Sequence, residues 1–553
     1  MASIDENQAA ENDEIDVVTS KQLQRVTGNP IDPFRPANLT RARPRAFERT
    51  PVELWSMIFE QYVLLDCRVA ILLLVCKHWR EIAEKTPRLW RRILLSADAI
   101  PPSLRAGSVH ACGAIETVER IRDRAGASLL ELTLVLGPNE ESSPPPLARA
   151  TLFKAVTHTV LHRVTFLCII VNPRMSLKLM DESLQGVFAG SLDALESLMI
   201  ASAHPIGNLY DPLENVIKMI DATSLRLRSI YLENVNRDFI TKISALDLWT
   251  RACRITIRNE FDAVDATTFE RCTRLEFLSF SGELAYADAN YGRKIDYSNL
   301  KWFKVGLISM GTLNKLRLDM LHSLVIDCIQ TDYPLPSPAP HSIVIPELKV
   351  LHLATVSPTA AAMAAPKIET VCLNIPTLKS ADADSVIKEL LNGAEGMLKP
   401  KHLTITAPVH DKHLLNSLRH LPDLISLQLD HQVPFSKMFF REMTPAVSLS
   451  KSRALFGRGK KTSKQPLLPK LRALVLDLHK ISMDNLQLDN VKSTIRTMIN
   501  SRKNSEGYDP LLRVACKWEQ GQPNEEFIYP MMCLTCIETH IANEAHHSTS
   551  QFA

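Results

Sequence analysis

A short apolar fragment, L-x-x-L-x-L with other apolar residues allowed, recurs along most of this chain and constrains its fold more than any other feature. It appears at Leu129/Leu132/Leu134, Leu161/Val164/Phe166, Leu195/Leu198/Ile200, Leu227/Ile230/Leu232, Leu275/Leu278/Phe280 and Leu300/Phe303/Val305. It continues at Leu321/Leu324/Ile326, Leu348/Leu351/Leu353, Ile368/Val371/Leu373, Leu424/Leu427/Leu429 and Leu471/Leu474/Leu476. Weaker copies lie at Ala252/Ile255/Ile257 and near Leu512/Val514/Cys516. Each fragment alternates with period two, as a half-buried strand does. Helical stretches such as residues 211–220 and 385–391 precede several of them. No single unit of this size can bury its own apolar edge, so the units must stack. The expected product is an irregular α/β leucine-rich-repeat solenoid with a parallel sheet on its concave face. Val235, Val356 and Gln432 stand where such repeats carry an asparagine that holds the turn, which marks the array as divergent.

With 553 residues, the chain has room for the array and one small domain besides. Only 18 residues are glycine, which argues against Gly-rich phosphate loops and hairpin-dense β folds. A net charge of +3 is too balanced for a dedicated nucleic-acid binder. The acidic start, Met1 to Asp16, has no apolar core of a secretory signal. The longest apolar runs, Val69 to Cys76 and Val164 to Val171, are far shorter than the ~18 residues of a membrane span. An odd number of cysteines, 11, scattered in apolar runs reads as reduced thiols in a cytoplasmic or nuclear protein.

Ahead of the repeats, residues 1–46 read as a disordered tail, acidic and then rich in Pro and Arg. At Thr50 the character changes. Thr50-Pro51-Val52-Glu53 has the form of a capping box with proline at the first helical position. Trp55, Ile58, Phe59 and Tyr62 then share one helical face. Asp66 opens a second helix carrying Val69, Leu72, Leu73, Cys76, Trp79 and Ile82, and Thr86-Pro87 opens a third turn with Leu89, Trp90 and Ile93. Leu54, Leu64, Leu65, Leu74 and Val75 lie off these faces, a surplus of apolar surface that marks an interaction site.

The blocks Pro51-Val52-Glu53-Leu54-Trp55 with Ile58-Phe59, Val75-Cys76-Lys77-His78-Trp79-Arg80, and Thr86-Pro87-Arg88-Leu89-Trp90 resemble, in order and spacing, the F-box of fungal F-box proteins with divergent leucine-rich repeats. The resemblance covers about residues 47–95, with Thr50 where the family pattern has leucine. It implies docking on a Skp1-type adaptor and, through it, on a cullin-RING ubiquitin ligase. The family's contact positions fall on Pro51, Leu54, Ile58, Val75 and Trp79, with Trp90 closing the module.

The resulting plan is a tail (1–46), an F-box (47–95), a linker (96–120), a repeat domain (121–520) with a basic insertion loop (445–467), and a C-terminal tail (521–553). Residues flanking the buried leucines point to the opposite sheet face. That places Tyr231, Phe277, Trp302, Lys304, His352, Gln428 and Asp430 on a client-binding surface. Lys304 and Arg163 are the cations expected there, too few for dependence on a phosphorylated client.

Catalytic signatures are missing from the sequence: there is no G-x-G-x-x-G, Walker A loop, G-x-S-x-G or H-E-x-x-H. A cofactor is therefore not expected. Cys533, Cys536 and His540, followed by His546 and His547, are too closely spaced for a zinc site built from two ligand pairs. The run Lys451, Arg453, Arg458, Lys460, Lys461 and Lys464 reads as a solvated loop, and Ser143 to Pro146 and Thr359 to Pro366 as loops too. The expectation is a non-catalytic ligase adaptor. Two alternatives stay open: a repeat scaffold whose helices pack on its own repeats, and a chromatin- or RNA-associated protein using the 451–464 loop.

Overall fold

A computed structural model describes residues 50–66, 69–96, 118–136, 160–171, 191–202, 210–259, 263–286, 293–330, 343–354, 363–375, 379–392, 398–430, 435–445, 467–477, 485–505, 507–517 and 525–528. The tail 1–46, the loops at 143–146 and 451–464, and Cys533, Cys536, His540, His546 and His547 lie outside the described residues. Two compact units make up the chain, Met1–Phe59 and Glu60–Ala553.

In the first unit begins helix α1 (Val52–Asp66). The Pro51 carbonyl accepts the N–H groups of Leu54 (3.1 Å) and Trp55 (3.2 Å). The helix thus starts one residue later than the capping pattern suggested, with Pro51 as the last non-helical residue. The Trp55 and Phe59 rings lie 5.8 Å apart, and Phe59 is buried.

In the second unit, α2 (Val69–Val75) and α3 (Lys77–Lys85) replace the single helix expected there. The break is at Cys76, whose extended backbone (φ −161°, ψ 168°) leaves its thiol to accept the Trp79 N–H at 3.4 Å. Cys76 thereby acts as an N-cap, satisfying one of the orphan donors of the new helix. A 3₁₀ turn, Pro87–Trp90, follows Thr86. The Trp90 indole donates to the Ala83 carbonyl at 2.8 Å and is covered by the Arg124 guanidinium at 4.4 Å.

The strands come next: β1 (Arg92–Ser96), β2 (Leu130–Leu136), β3 (Val164–Val171), β4 (Ser197–Ser202), β5 (Ser229–Glu233), β6 (Arg254–Arg258) and β7 (Val264–Asp265). Then follow β8 (Phe277–Ala285), β9 (Ile295–Asp296), β10 (Trp302–Ser309), β11 (Leu316–Arg317), β12 (Ser323–Gln330), β13 (Ile343–Val344) and β14 (Val350–Leu353). The last are β15 (Met363–Ala364), β16 (Thr370–Asn374), β17 (His402–Thr406), β18 (Ser426–Asp430), β19 (Ala473–Asp477), β20 (Arg513–Lys517) and β21 (Glu525–Ile528).

Among the described residues, seventeen strands form one sheet. It is parallel from β1 through β2–β6, β8, β10, β12, β14 and β16 to β20, and β21 closes the far edge antiparallel to β20. β1 already pairs with β2, so the sheet starts inside the F-box span and before the expected linker. Trp90, Ile93 and Leu95 are in effect another copy of the fragment, with tryptophan in first place.

One backbone device ties the units together. From β4 to β19, along the main parallel series, the residue just before the strand accepts two N–H groups from the next unit: Glu196 from Arg228 and Ser229, Arg228 from Cys253 and Arg254, and so on to Arg472, which accepts from Leu512 and Arg513. These bonds satisfy main-chain groups that stacking would otherwise bury unpaired.

The fragment leucines form the core, and Leu198, Leu278, Leu324, Leu351, Leu427 and Leu474 are all buried. Three copies differ from the sequence reading. A register shift between Leu130 and Glu131 turns Phe166 to the open face of the sheet and Leu167 inward, and Leu129 is exposed. At the C-terminal copy Leu511 is buried and Leu512 exposed. β17 was missed because Pro400, buried, fills the first position ahead of Leu403 and Ile405.

The stretch opposite the sheet varies with repeat length. Long repeats carry helices such as Tyr210–Thr223, Ser380–Asn392 and Asn485–Lys503. Short ones carry the two-residue strands that pair β9 with β11 and β13 with β15. Part of the Ala-rich stretch expected as a loop is therefore strand β15.

Beside Val235 an asparagine does support the turn, one residue earlier than the family spacing placed it, whereas Val356 and Gln432 lie outside the described residues. Asn234 (φ 53°) donates from Nδ2 to Ser202 O at 2.7 Å, and Asn259 from Nδ2 to Val235 O at 2.7 Å. Asn259 N in turn donates to Ser281 Oγ at 2.9 Å. Asparagine tolerates the left-handed region better than other non-glycine residues.

Candidate functional site

Two surfaces carry the residues singled out by sequence. On the helical module, Leu54 (48% exposed) and Ile58 (50%) stand out from α1, beside Val52 and Met57, and Pro51 is exposed. On α2, Leu74 is 80% and Val75 53% exposed, while Trp79 on α3 is half-buried. Large apolar groups left in water at this density cost about 25 cal/mol per Å² until something covers them. Trp90 differs from these: buried and hydrogen-bonded to Ala83, it holds the module together from within.

The second surface is the open face of the sheet. In register across the strands, Tyr231, Lys304, His352 and Gln428 share one lateral row. Phe277 and Trp302 lie in the row before it and Asp430 in the row after. Phe277 and Trp302 stack face to face, 4.1 Å apart and 2° from parallel. Parallel neighbouring strands hold the rings in this geometry, since every side chain in a row is offset by one strand spacing. Lys304 pairs with Asp327 at 3.8 Å. Tyr231 is nearly buried, donates its hydroxyl to Glu233 Oε2 at 3.0 Å, and lies under the Arg258 guanidinium at 5.5 Å. Burial is the main cause that pushes its phenol well above the usual tyrosine range.

Arg163 is not among the cations of this face. Its Nη2 donates to the carbonyls of Gly126 and Ser128, clamping the turn before β2, where Gly126 has φ 56°. Arg254 and Arg258 do lie on this face with Lys304, and they escape the sequence pattern because their repeat copy is weak in leucine. Strict alternation about Ile255 and Ile257 would have found them.

Cys168, on the open face of β3, has its thiol pushed up to about 12 by burial, against a weaker opposing hydrogen bond from Thr133. Among the described residues no group of three or more His, Cys, Asp or Glu could hold a metal, and no helix is long and apolar enough to cross a membrane.

Residues 47–96 match the F-box-like family model. An F-box-like module leading into a leucine-rich-repeat-type sheet is a protein-interaction architecture, an adaptor by its parts. No curated protein matches the chain. Among solved structures, the chain is similar to the Rad7 and Elc1 complex of yeast, with 16% identity over 73% of this chain and 94% of that one and a TM-score of 0.29. It is also similar to a leucine-rich-repeat protein of Leptospira interrogans, with 13% identity over 75% and 96% and a TM-score of 0.29. A Bacteroides fragilis protein matches with 14% identity over 49% and 76% and a TM-score of 0.28.

Proposed function

We propose that the protein is the substrate-recognition subunit of a Skp1-cullin-F-box type ubiquitin ligase. Its helical module docks on a Skp1-type adaptor through Pro51, Leu54, Ile58, Val75 and Trp79, and the open sheet face holds a client protein. The observation that carries this reading is the exposure of Leu54, Ile58 and Val75 within the segment that matches the F-box-like model. The protein does no chemistry in this scheme. It raises the effective concentration of client lysines beside a charged conjugating enzyme, as any two-site linker does when both contacts fit at once. Cytoplasmic or nuclear residence belongs to the same proposal.

Capture of a purified Skp1-type adaptor tests it. The full chain should bind stoichiometrically, and Pro51→Ala/Leu54→Ala should weaken capture at least ~100-fold, the loss of two anchor contacts of ~1.5–2 kcal/mol each. Circular dichroism and the thermal midpoint of the repeat domain should be unchanged in the variant. A folded wild-type chain that captures no adaptor would hand the lead to the scaffold reading.

A further inference from the structure

The open face is not chemically uniform, and its most distinctive feature lies on β6. Arg254 and Arg258 are both exposed on the same side of that strand. Arg254 sits over the Phe277 ring at 5.1 Å, and Phe277 is itself stacked on Trp302, so guanidinium, phenyl and indole form a continuous pile across three neighbouring strands. Arg258 sits over the Tyr231 ring at 5.5 Å. Among the described residues neither guanidinium has a carboxylate within ion-pairing distance, although other cations on and beside this face do: Lys304 has Asp327 and Lys301 has Glu276, at 3.1 Å. Glu233, opposite Arg258 in register, accepts the Tyr231 hydroxyl instead.

An arginine stacked on an aromatic ring keeps its plane fixed and its N–H edges free, which is the state that pairs bidentately with a carboxylate at little entropic cost. Two such groups four residues apart on a strand are separated by about 13 Å along it. An extended peptide repeats that distance between its own residues i and i+4. We infer that the open face at β5–β10 docks an extended acidic segment of the client, with two carboxylates four residues apart on Arg254 and Arg258 and the apolar side chain of the residue midway between them, which faces the same way, against the Phe277–Trp302 stack. This deepens the client-binding reading and rests on it.

The probe is a fluorescent synthetic peptide with a Glu-x-Phe-x-Glu centre, run against the full-length protein beside its Gln-for-Glu and phosphoserine-for-Glu counterparts. The Glu peptide should bind, with affinity falling as salt rises. Arg254→Gln and Arg258→Gln, each still folded by circular dichroism, should weaken it about tenfold apiece, as should the Gln peptide. Equal binding of the Gln peptide, binding of the phosphoserine peptide alone, or no binding of any peptide to the folded protein would overturn the inference. The broader readings fail separately. Phe277→Ala/Trp302→Ala that abolishes binding of an uncharged peptide would keep the face as a client site without its charge selectivity. Adaptor capture does not involve the sheet at all.

Discussion

His402 shows how one side chain on the sheet carries a pH dependence. It begins β17, half-buried between Thr370 and Ser426 in register. Burial is the main cause that holds its imidazole below the ordinary histidine value, with Lys401 adding to the effect and Glu369 opposing it. A histidine whose folded pKa is depressed resists protonation in the folded state. The stability it permits is complete above the unfolded value of about 6.5 and is lost as pH falls from there towards the folded pKa. Lowering the pH from about 7.5 to about 5.5 should therefore shift the urea midpoint of the wild type down further than that of His402→Gln. Parallel shifts in the two proteins would show that His402 contributes nothing to the dependence. Asn234 and Asn259 make the complementary point about residue scale. Each donates a side-chain N–H to a turn carbonyl of the preceding unit, Ser202 and Val235, so two short amides tie β4, β5 and β6 at one end.

At the scale of the element, the helices opposite the sheet cap one another from repeat to repeat. Asp384, in the helix Ser380–Asn392, accepts the backbone N–H of His410 at 2.9 Å with Oδ1, while Oδ2 takes the His410 Nδ1 at 2.7 Å. The helix Asp411–Leu418 that starts there sends its own Asp411 carboxylate to the Ser436 N–H, at the start of Lys437–Met443. Asp221 does the same for Asp247 (3.2 Å) and Leu248 (2.6 Å). A carboxylate at a helix N-terminus meets both the orphan N–H groups and the positive end of the helix dipole. Asp384→Ala should cost about 1–2 kcal/mol of unfolding free energy and speed amide exchange in the first turn of Asp411–Leu418. An unchanged urea midpoint with unchanged exchange would mean that the contact is not maintained in solution. None of this capping was legible in the sequence, because a cap supplied about one repeat away leaves no local pattern. The strands were legible, since burial on one face imposes period two. Where reading failed, a residue outside the apolar alphabet held the first position, as Pro400 does, or a bulge reversed the faces, as at Phe166. The same alternation put Tyr231, Phe277, Trp302, Lys304, His352, Gln428 and Asp430 on the open face, where the structure has them, but it could not say that Tyr231 would be nearly covered. On the helical module Leu54 and Val75 were legible as surplus apolar residues, whereas the Cys76 break depends on a thiol acting as a cap, which spacing does not reveal.

At the scale of the repeat domain, each strand is bonded only to its immediate neighbours, so damage should stay where it is made. The sharpest place to make it is Gly306. Between Val305 and Leu307 the register of β10 against β8 shifts, and the bulge brings the β8 backbone against Gly306. A methyl group there would meet Ser281 O at 1.8 Å and the Ser281 carbonyl carbon at 2.5 Å. Both are backbone atoms, so no rotamer change relieves the clash and the two strands must part. Gly306→Ala should accelerate amide exchange across β8, β10 and β12 by at least about tenfold, the equivalent of a local loss near 1.4 kcal/mol. Exchange in β2 and β3 on one side and in β18 and β19 on the other should change by less than about twofold, because no bond of the bulge reaches them. Hydrogen exchange read by mass spectrometry on the full chain separates this from the alternative. Uniform acceleration from β2 to β20 would show that the sheet opens as a single cooperative unit. Local acceleration would show that β8 and β10 can loosen while the rest of the sheet stays closed, and the Arg254–Phe277–Trp302 pile lies across the strands beside the bulge. On that outcome Gly306→Ala should also weaken the acidic probe peptide while leaving adaptor capture intact.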